Sequence, residues 1–179
     1  MQFRRAGPSD AASVASLHAL SWRRHYRGAY SDEFLDGDVE TDRLVVWTGR
    51  LEAPDEGRAT ILAEDDGALV GFVHVVFGDD PEWGTLIDNL HVVPSAKRTG
   101  IGRRLMAQAA GHVVRRDRTM GLYLWVLEQN EDAQAFYGAC GGRCVERALT
   151  EPPGGVPGRL RGSPAKLRYV WADPSTLLG

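Results

Sequence analysis

The stretch with the clearest chemical meaning is Lys97-Arg98-Thr99-Gly100-Ile101-Gly102-Arg103-Arg104, which follows Leu90-His91-Val92-Val93-Pro94. A strand closes at a proline, a short basic turn follows, and a helix opens at once. The first turn of a helix carries N–H groups with no intrahelical partner and a partial positive charge. Glycines at 100 and 102 let the backbone approach a ligand with no Cβ in the way. The combination suits a phosphate or pyrophosphate, and Arg98 and Arg103 can add charge-assisted bonds. An ordinary strand–helix connection with solvated arginines is the plain alternative. Two nucleotide readings fit less well. The third glycine of a dinucleotide fingerprint would fall at Leu105, and no Gly-Lys-Ser/Thr marks a nucleoside-triphosphate loop.

The elements that position this turn follow from periodicity. Met1 to Arg5 alternates weakly, as a short strand does. Pro8-Ser9-Asp10 starts a helix that runs to about Tyr26, with Val14, Leu17, Ser21 and Trp22 on one side. A second helical region starts at Ser31, breaks near Gly37 and restarts at Thr41, with Leu44, Trp47, Thr48 and Leu51 as its inward stripe. Strands are expected at Thr60–Glu64, Ala68–Phe77 and Thr85–Val93, with a hairpin turn at Asp65-Asp66-Gly67 and a break at Gly78-Asp79-Asp80-Pro81. Gly100 to about Arg116 is a helix with Ile101, Leu105, Ala109 and Val113 spaced by four. Leu122–Leu127 is a strand, Asn130 to about Ala139 a helix, and Arg143–Leu149 and Lys166–Trp171 are strands. Glu151 to Ala165, rich in Pro and Gly, reads as a mobile loop. The expected fold is α/β in the α+β sense, a mixed sheet with helices on both faces, formed by one domain over residues 1–179.

Bulk properties narrow the function. A net charge of −3 argues against a general nucleic-acid binder, which needs a basic face. No apolar run approaches the ~18–20 residues that span a bilayer, and MQFRRAGPSD shows no secretory signal. Cys140 and Cys144 lack zinc-knuckle spacing and suit a reducing cytoplasm. His18, His25, His74 and His112 have no metal-ligand spacing with acidic partners, so no metal site is expected.

The glycine turn resembles the cofactor motif of the GCN5-related N-acetyltransferase (GNAT) family, Arg/Gln-x-x-Gly-x-Gly/Ala after a Val-x-x-Pro strand end. Gly100 and Gly102 occupy its glycine positions, and Lys97 stands where the family has Arg or Gln. Asn130, Ala133, Phe136 and Tyr137 are similar to the family's Asn-x-x-Ala-x-x-x-Tyr pattern on the helix after the fifth strand. The resemblance implies a mostly antiparallel sheet of about seven strands and acetyl-CoA as co-substrate. It also implies that the strand before the turn splays from its neighbour, so that Leu90, His91 and Val92 pair with the pantetheine arm. The amides of Arg98, Thr99, Gly100, Ile101, Gly102 and Arg103 would receive the pyrophosphate, an N–H near Val92 would face the thioester oxygen, and Asn130 would contact the cofactor. Tyr137 would protonate the departing thiolate.

The reaction so implied moves an acetyl group to a primary amine, and an ammonium must first lose a proton. Where some members carry a Glu base, this chain has Trp125. Asp88, expected on the same side of its strand as Leu86 and Leu90, is the preferred base, and His91 on the opposite side is the other candidate. Asp32, Glu33, Asp36, Asp38, Glu40 and Asp42, with Asp79, Asp80 and Glu82, suggest a cationic acceptor such as a small molecule or peptide end; helix capping and a solvated face explain the same acids. Trp22, Tyr26, Tyr30 and Trp83 could line its pocket. A non-catalytic acetyl-CoA sensor is the rival reading. Homodimers are common among such enzymes, but the sequence displays no interface.

Overall fold

Apolar, β-branched runs in the middle of the chain form the centre of a seven-stranded sheet, and a computed structural model describes it over residues 1–179. The strands are β1 (Gln2–Arg5), β2 (Arg58–Asp65), β3 (Ala68–Asp80), β4 (Gly84–Val92), β5 (Leu122–Leu127), β6 (Arg143–Leu149) and β7 (Ala165–Trp171). Their order across the sheet is β1-β2-β3-β4-β5-β7-β6. Every neighbouring pair is antiparallel except β4–β5. A parallel pair needs a crossover, and α4 (Ile101–Arg116) supplies it.

The helices divide between the two faces. On one, α4 buries Ile101, Leu105, Met106, Ala109, Ala110 and Val113 against Ile61, Val73, Val75, Ile87 and Leu124 of the sheet. Tyr137 of α5 (Glu131–Ala139) joins this cluster. On the other face, α1 (Ala11–His25) and α3 (Val39–Leu51) bury Val14, Leu17, Trp47 and Leu51 against Leu62 and Phe72. A short α2 (Asp32–Asp36), capped by Ser31, precedes α3.

Several boundaries and faces differ from the sequence reading. Helix α3 begins at Val39, and its inward residues are Val39, Arg43, Trp47 and Leu51. Leu44 is 41% exposed. A guanidinium can take a core position here because Arg43 pairs with Asp42 and stacks over Trp22 at 4.3 Å. Strand β3 does not stop at Phe77. Gly78 adopts φ +61 and absorbs a register shift, so Asp80 still pairs with Gly84. The loop from Glu151 to Ala165 contains two short 3-10 turns and is pinned rather than free. Ser31 N donates to Arg159 O, Arg161 N donates to Ala29 O, and Arg159 reaches Asp42 at 2.7 Å while stacking on Phe34.

Three histidines meet between the helices and the sheet, His18 from α1, His74 from β3 and His91 from β4. His18 accepts from Trp47 Nε1 at 3.0 Å, His74 bonds Thr60 Oγ1 at 2.7 Å, and His91 stacks on His18 with ring centroids 4.7 Å apart. Burial is the first cause that holds all three imidazoles below their ordinary range, His74 to about 4 and His91 to about 3.

Two outcomes follow. A Cβ on Gly71 would stand 2.9 Å from His91 O and 3.1 Å from Leu105 Cδ1. Gly71→Val should therefore cost about 1–3 kcal/mol in urea unfolding, as overpacking does. The unfolded histidines take up protons near pH ~6.5, which the folded sites refuse until about 4 or 3. Their stabilising contribution is whole above that upper value and drains away as pH falls through the window. Melting temperature should drop between pH 7 and pH 5, with up to roughly 1.4 kcal/mol per pH unit for each histidine. A flat profile would contradict this.

Candidate active site

The parallel pairing of β4 with β5 is brief. It joins Thr85, Leu86 and Ile87 to Leu122, Tyr123 and Leu124, and then stops. Beyond Ile87, β4 pairs only with β3, and β5 pairs only with β7. The parting coincides with a bulge: Ile87 faces Val75 and Asn89 faces His74, so Asp88 has no partner in β3. A bulge bends its own strand, and the two strands diverge from that point. A cavity of about 610 Å³ occupies the opening, roofed by the turn before α4 and by α5.

Backbone direction along the open edge can be read from one bond. Val93 N donates to Val70 O at 2.9 Å. Alternation along the strand turns the N–H and C=O of His91 and Asn89 towards β3, and those of Leu90 and Val92 towards the cavity. Of the three residues expected to pair with a pantetheine arm, Leu90 and Val92 offer backbone groups to it. His91 contributes only its side chain.

The turn from Lys97 into α4 forms a nest of donors. No backbone or side-chain acceptor in the protein receives the N–H groups of Arg98, Thr99, Gly100, Ile101, Gly102 or Arg103; the first α4 bond that reaches back to the turn runs from Arg104 N to Gly100 O. Arg98 at φ 64 and Gly100 at φ 86 curl the chain to bring these amides together, which is the shape of an anion site. The two glycines serve different ends. Gly100 is needed for its φ. A Cβ on Gly102 would lie 3.1 Å from Phe136 Cζ, so this glycine lets α4 and α5 pack closely. Arg103 donates to Ala139 O at 2.9 Å and ties the same two helices, while Thr99 Oγ1 donates to Ala96 O. Lys97 Nζ donates to His25 Nε2 at 2.8 Å. Burial, then the charge of Arg24, pushes the Lys97 ammonium down.

The candidate proton donor and acceptors line the same cavity. Tyr137 is buried, and burial first, then Tyr26, pushes its phenol well above the ordinary range, so it stays protonated at neutral pH. Tyr26 is pushed up to about 12 by burial and then by the charge of Asp88. Asp88 Oδ2 accepts from Arg50 Nη1 at 2.7 Å and from Asn89 Nδ2 at 2.6 Å, which leaves Oδ1 free; the side chain is 31% exposed and so reaches water. His91 Nδ1 bonds Ser21 Oγ at 2.8 Å. Its low proton affinity makes it a poor base. Asn130 accepts from Ala133 N at 3.3 Å and caps α5, and it also lines the cavity. Trp125 lines it too, beneath Lys166 at 4.6 Å.

Two expectations need correction. The bulge places Asp88 on the α1/α3 side, where it meets Arg50 and where His91 meets Ser21, whereas Leu90 packs into the α4 cluster. Asp88 and His91 therefore share a side. The acids after Ser31 lie on the surface, but most of them are paired with arginines rather than free for a cation. Asp32 and Asp36 pair with Arg27, Asp32 also with Arg161, Glu40 with Arg23, and Asp42 with Arg43 and Arg159. Asp80 meets Arg168, and Tyr123 donates to Asp79. Ser21, His25, Arg50 and Asp132 were missed as site residues. Ser21, His25 and Arg50 reach the cavity or its carboxylate from elements distant in sequence, which local spacing does not reveal, whereas Asp132 lies on α5 between Asn130 and Tyr137. No group of three or more His, Cys, Asp or Glu is placed to hold a metal ion, and no helix is long and apolar enough to cross a membrane.

Comparison with known proteins agrees with this geometry. The description "Acetyltransferase (GNAT) family" matches residues 14–141. The chain is 30% identical over 145 residues to an uncharacterized N-acetyltransferase of Archaeoglobus fulgidus, covering 76% of this chain and 89% of that one. It is 31% identical over 96 residues to the mycothiol acetyltransferase of Actinosynnema mirum, covering 54% of this chain but 31% of that protein, so it spans about a third of that relative. Its fold is similar to that of the PaiA N-acetyltransferase of Thermoplasma acidophilum, solved with coenzyme A, at TM-score 0.66 and 18% identity, covering 95% of this chain and 98% of that one. An open β4 edge, a nest of free amides at the head of α4 and these matches have one reading: the chain belongs to the GNAT family of acetyltransferases, which use acetyl-CoA.

Proposed function

We propose that residues 1–179 act as one N-acetyltransferase domain that acetylates a primary amine, with Asp88 as the proton acceptor and Tyr137 as the proton donor. The observation that carries this reading is that a partly exposed carboxylate and a buried, protonated phenol line one cavity beside the open edge of β4. Acetyl-CoA brings an acetyl group already activated as a thioester. The amides of Arg98 to Arg103 are the donors for its pyrophosphate, and those of Leu90 and Val92 for its arm and carbonyl. A backbone N–H fixed by the β3 pairing costs no reorganisation as charge develops on that oxygen.

The acceptor arrives mostly as an ammonium, because aliphatic amines hold their proton to about pH 10.4. Asp88 Oδ1 takes that proton directly or through water and releases it to solvent. The neutral nitrogen then forms the C–N bond as the C–S bond breaks, the second nitrogen proton leaves by the same route, and Tyr137 protonates the sulfur. Asp88 also supports a cationic acceptor. Tyr26 lines the cavity near Asp88 and offers an aromatic ring to an ammonium, whereas Trp22 and Tyr30 are buried behind it and Arg43 already stacks over Trp22. With the acids of the Ser31–Asp42 stretch largely committed to arginines, the acids in the cavity lining are Asp88, whose Oδ1 is unpaired, and Asp132. A small amine or a basic peptide end both fit this description.

Free-thiol release from acetyl-CoA across a panel of amines tests the reading. Tyr137→Phe should lower kcat by roughly 10²-fold, the scale of general acid catalysis, with KM for acetyl-CoA nearly unchanged. Asp88→Asn should lower kcat/KM for the amine by a similar factor near pH 7 and regain much of the loss above about pH 10, where the amine is already neutral. Acetyl-CoA binding with no thiol release from any amine would mean a non-catalytic binder.

A further inference from the structure

A second cavity, of about 240 Å³, lies away from the acetyl-CoA cleft, between the end of β1, the α3–β2 connection and β3. Its charged lining is Arg5, Arg50, Arg58 and Asp55, three positive groups against one negative. Arg5 Nη2 donates only to carbonyl oxygens, those of Asp55 at 3.1 Å and Arg58 at 2.9 Å, so its charge has no carboxylate partner. Arg58 meets Asp55 at a loose 3.4 Å. The lining also includes His74, which is 1% exposed. Its Nδ1 is bonded to Thr60 Oγ1, while its Nε2 has no hydrogen-bond partner. Buried polar atoms are nearly always satisfied. An excess of guanidinium charge beside an orphaned imidazole nitrogen is the chemistry of an oxyanion site.

We propose that this cavity binds a small divalent oxyanion through Arg5, Arg50, Arg58 and His74, and that Arg50 couples it to Asp88. Arg50 lines the cavity and donates Nη1 to Asp88 Oδ2 at 2.7 Å. A dianion competes for that guanidinium, and Asp88 then loses the ion pair that holds its carboxylate in place. The binding half stands on the cavity alone. The coupling half rests on the reading of Asp88 as the proton acceptor.

The test is a calorimetric titration with inorganic phosphate, and in parallel with succinate, of protein saturated with CoA so that the amides of Arg98 to Arg103 are already engaged. One dianion should bind per chain, with the tighter of the two probes naming phosphate or carboxylate as the class. Arg58→Met should raise its Kd at least tenfold, about 1.4 kcal/mol, and Arg58→Lys should recover part of the loss. Basal acetyl transfer should be unchanged in both. No saturable binding of either probe, or binding that Arg58→Met leaves unaltered, overturns the site. In the wild type the bound probe should change kcat/KM for the amine at about pH 7.5, and in Arg58→Met it should not. An unchanged kcat/KM while the probe is bound overturns the coupling.

Discussion

Backbone donors and acceptors must be paired wherever water cannot reach them freely, and past Ile87 one side of β4 has no strand to pair with. A closed sheet would satisfy that edge and leave no site. Here the bulge at Asp88 turns β4 away from β5, and the groups of Leu90 and Val92 face a cavity. An extended, amide-bearing ligand can then complete the sheet as a further strand would. The same parting exposes the head of α4, where six successive amides lack an acceptor. On the proposed reading, the extended arm and the anionic end meet backbone groups whose geometry the sheet sets.

The remainder of the molecule holds that opening in place. Helix α4 is anchored by an unbroken apolar stripe, and Gly102 and Arg103 fasten its first turn to α5, which carries Tyr137. Tyr137 is buried beside Tyr169 and Trp171. On the opposite face, α1 and α3 bring Ser21, Tyr26 and Arg50 to His91 and Asp88. The pinned β6–β7 loop fixes the α1–α2 connection from outside. The cavity is bounded on one side by Tyr26, Asp88 and His91 and on the other by the turn before α4 and by α5.

Much of this was legible in the sequence because it is written in local pattern. Ile101, Leu105, Ala109 and Val113 at spacing four are all buried, and the Pro94 stop, the glycine turn and the Asn130–Tyr137 pattern fall where the spacing put them. What was misread depends on partners distant in the chain. A bulge is a property of two strands, so the side that Asp88 faces could not be read from β4 alone. The stripe of α3 was misassigned because Arg43 looks exposed until Asp42 and Trp22 are seen around it. The acids from Asp32 to Asp42 read as a charged surface, yet Asp32 and Asp42 interlock with Arg161 and Arg159 from a loop more than a hundred residues later. Gly102 was assigned to ligand approach for want of any sign that Phe136 lies against it.

The central claim is that backbone amides on an open strand edge and at one helix head receive acetyl-CoA. Amide-resolved NMR during titration with acetyl-CoA tests it most directly. The expected result is saturable shifts at Leu90, Val92 and Arg98 through Arg103, with the β3-facing amides of Asn89 and His91 moving less. Absence of saturation, or shifts that spare those residues and gather elsewhere, would contradict the account.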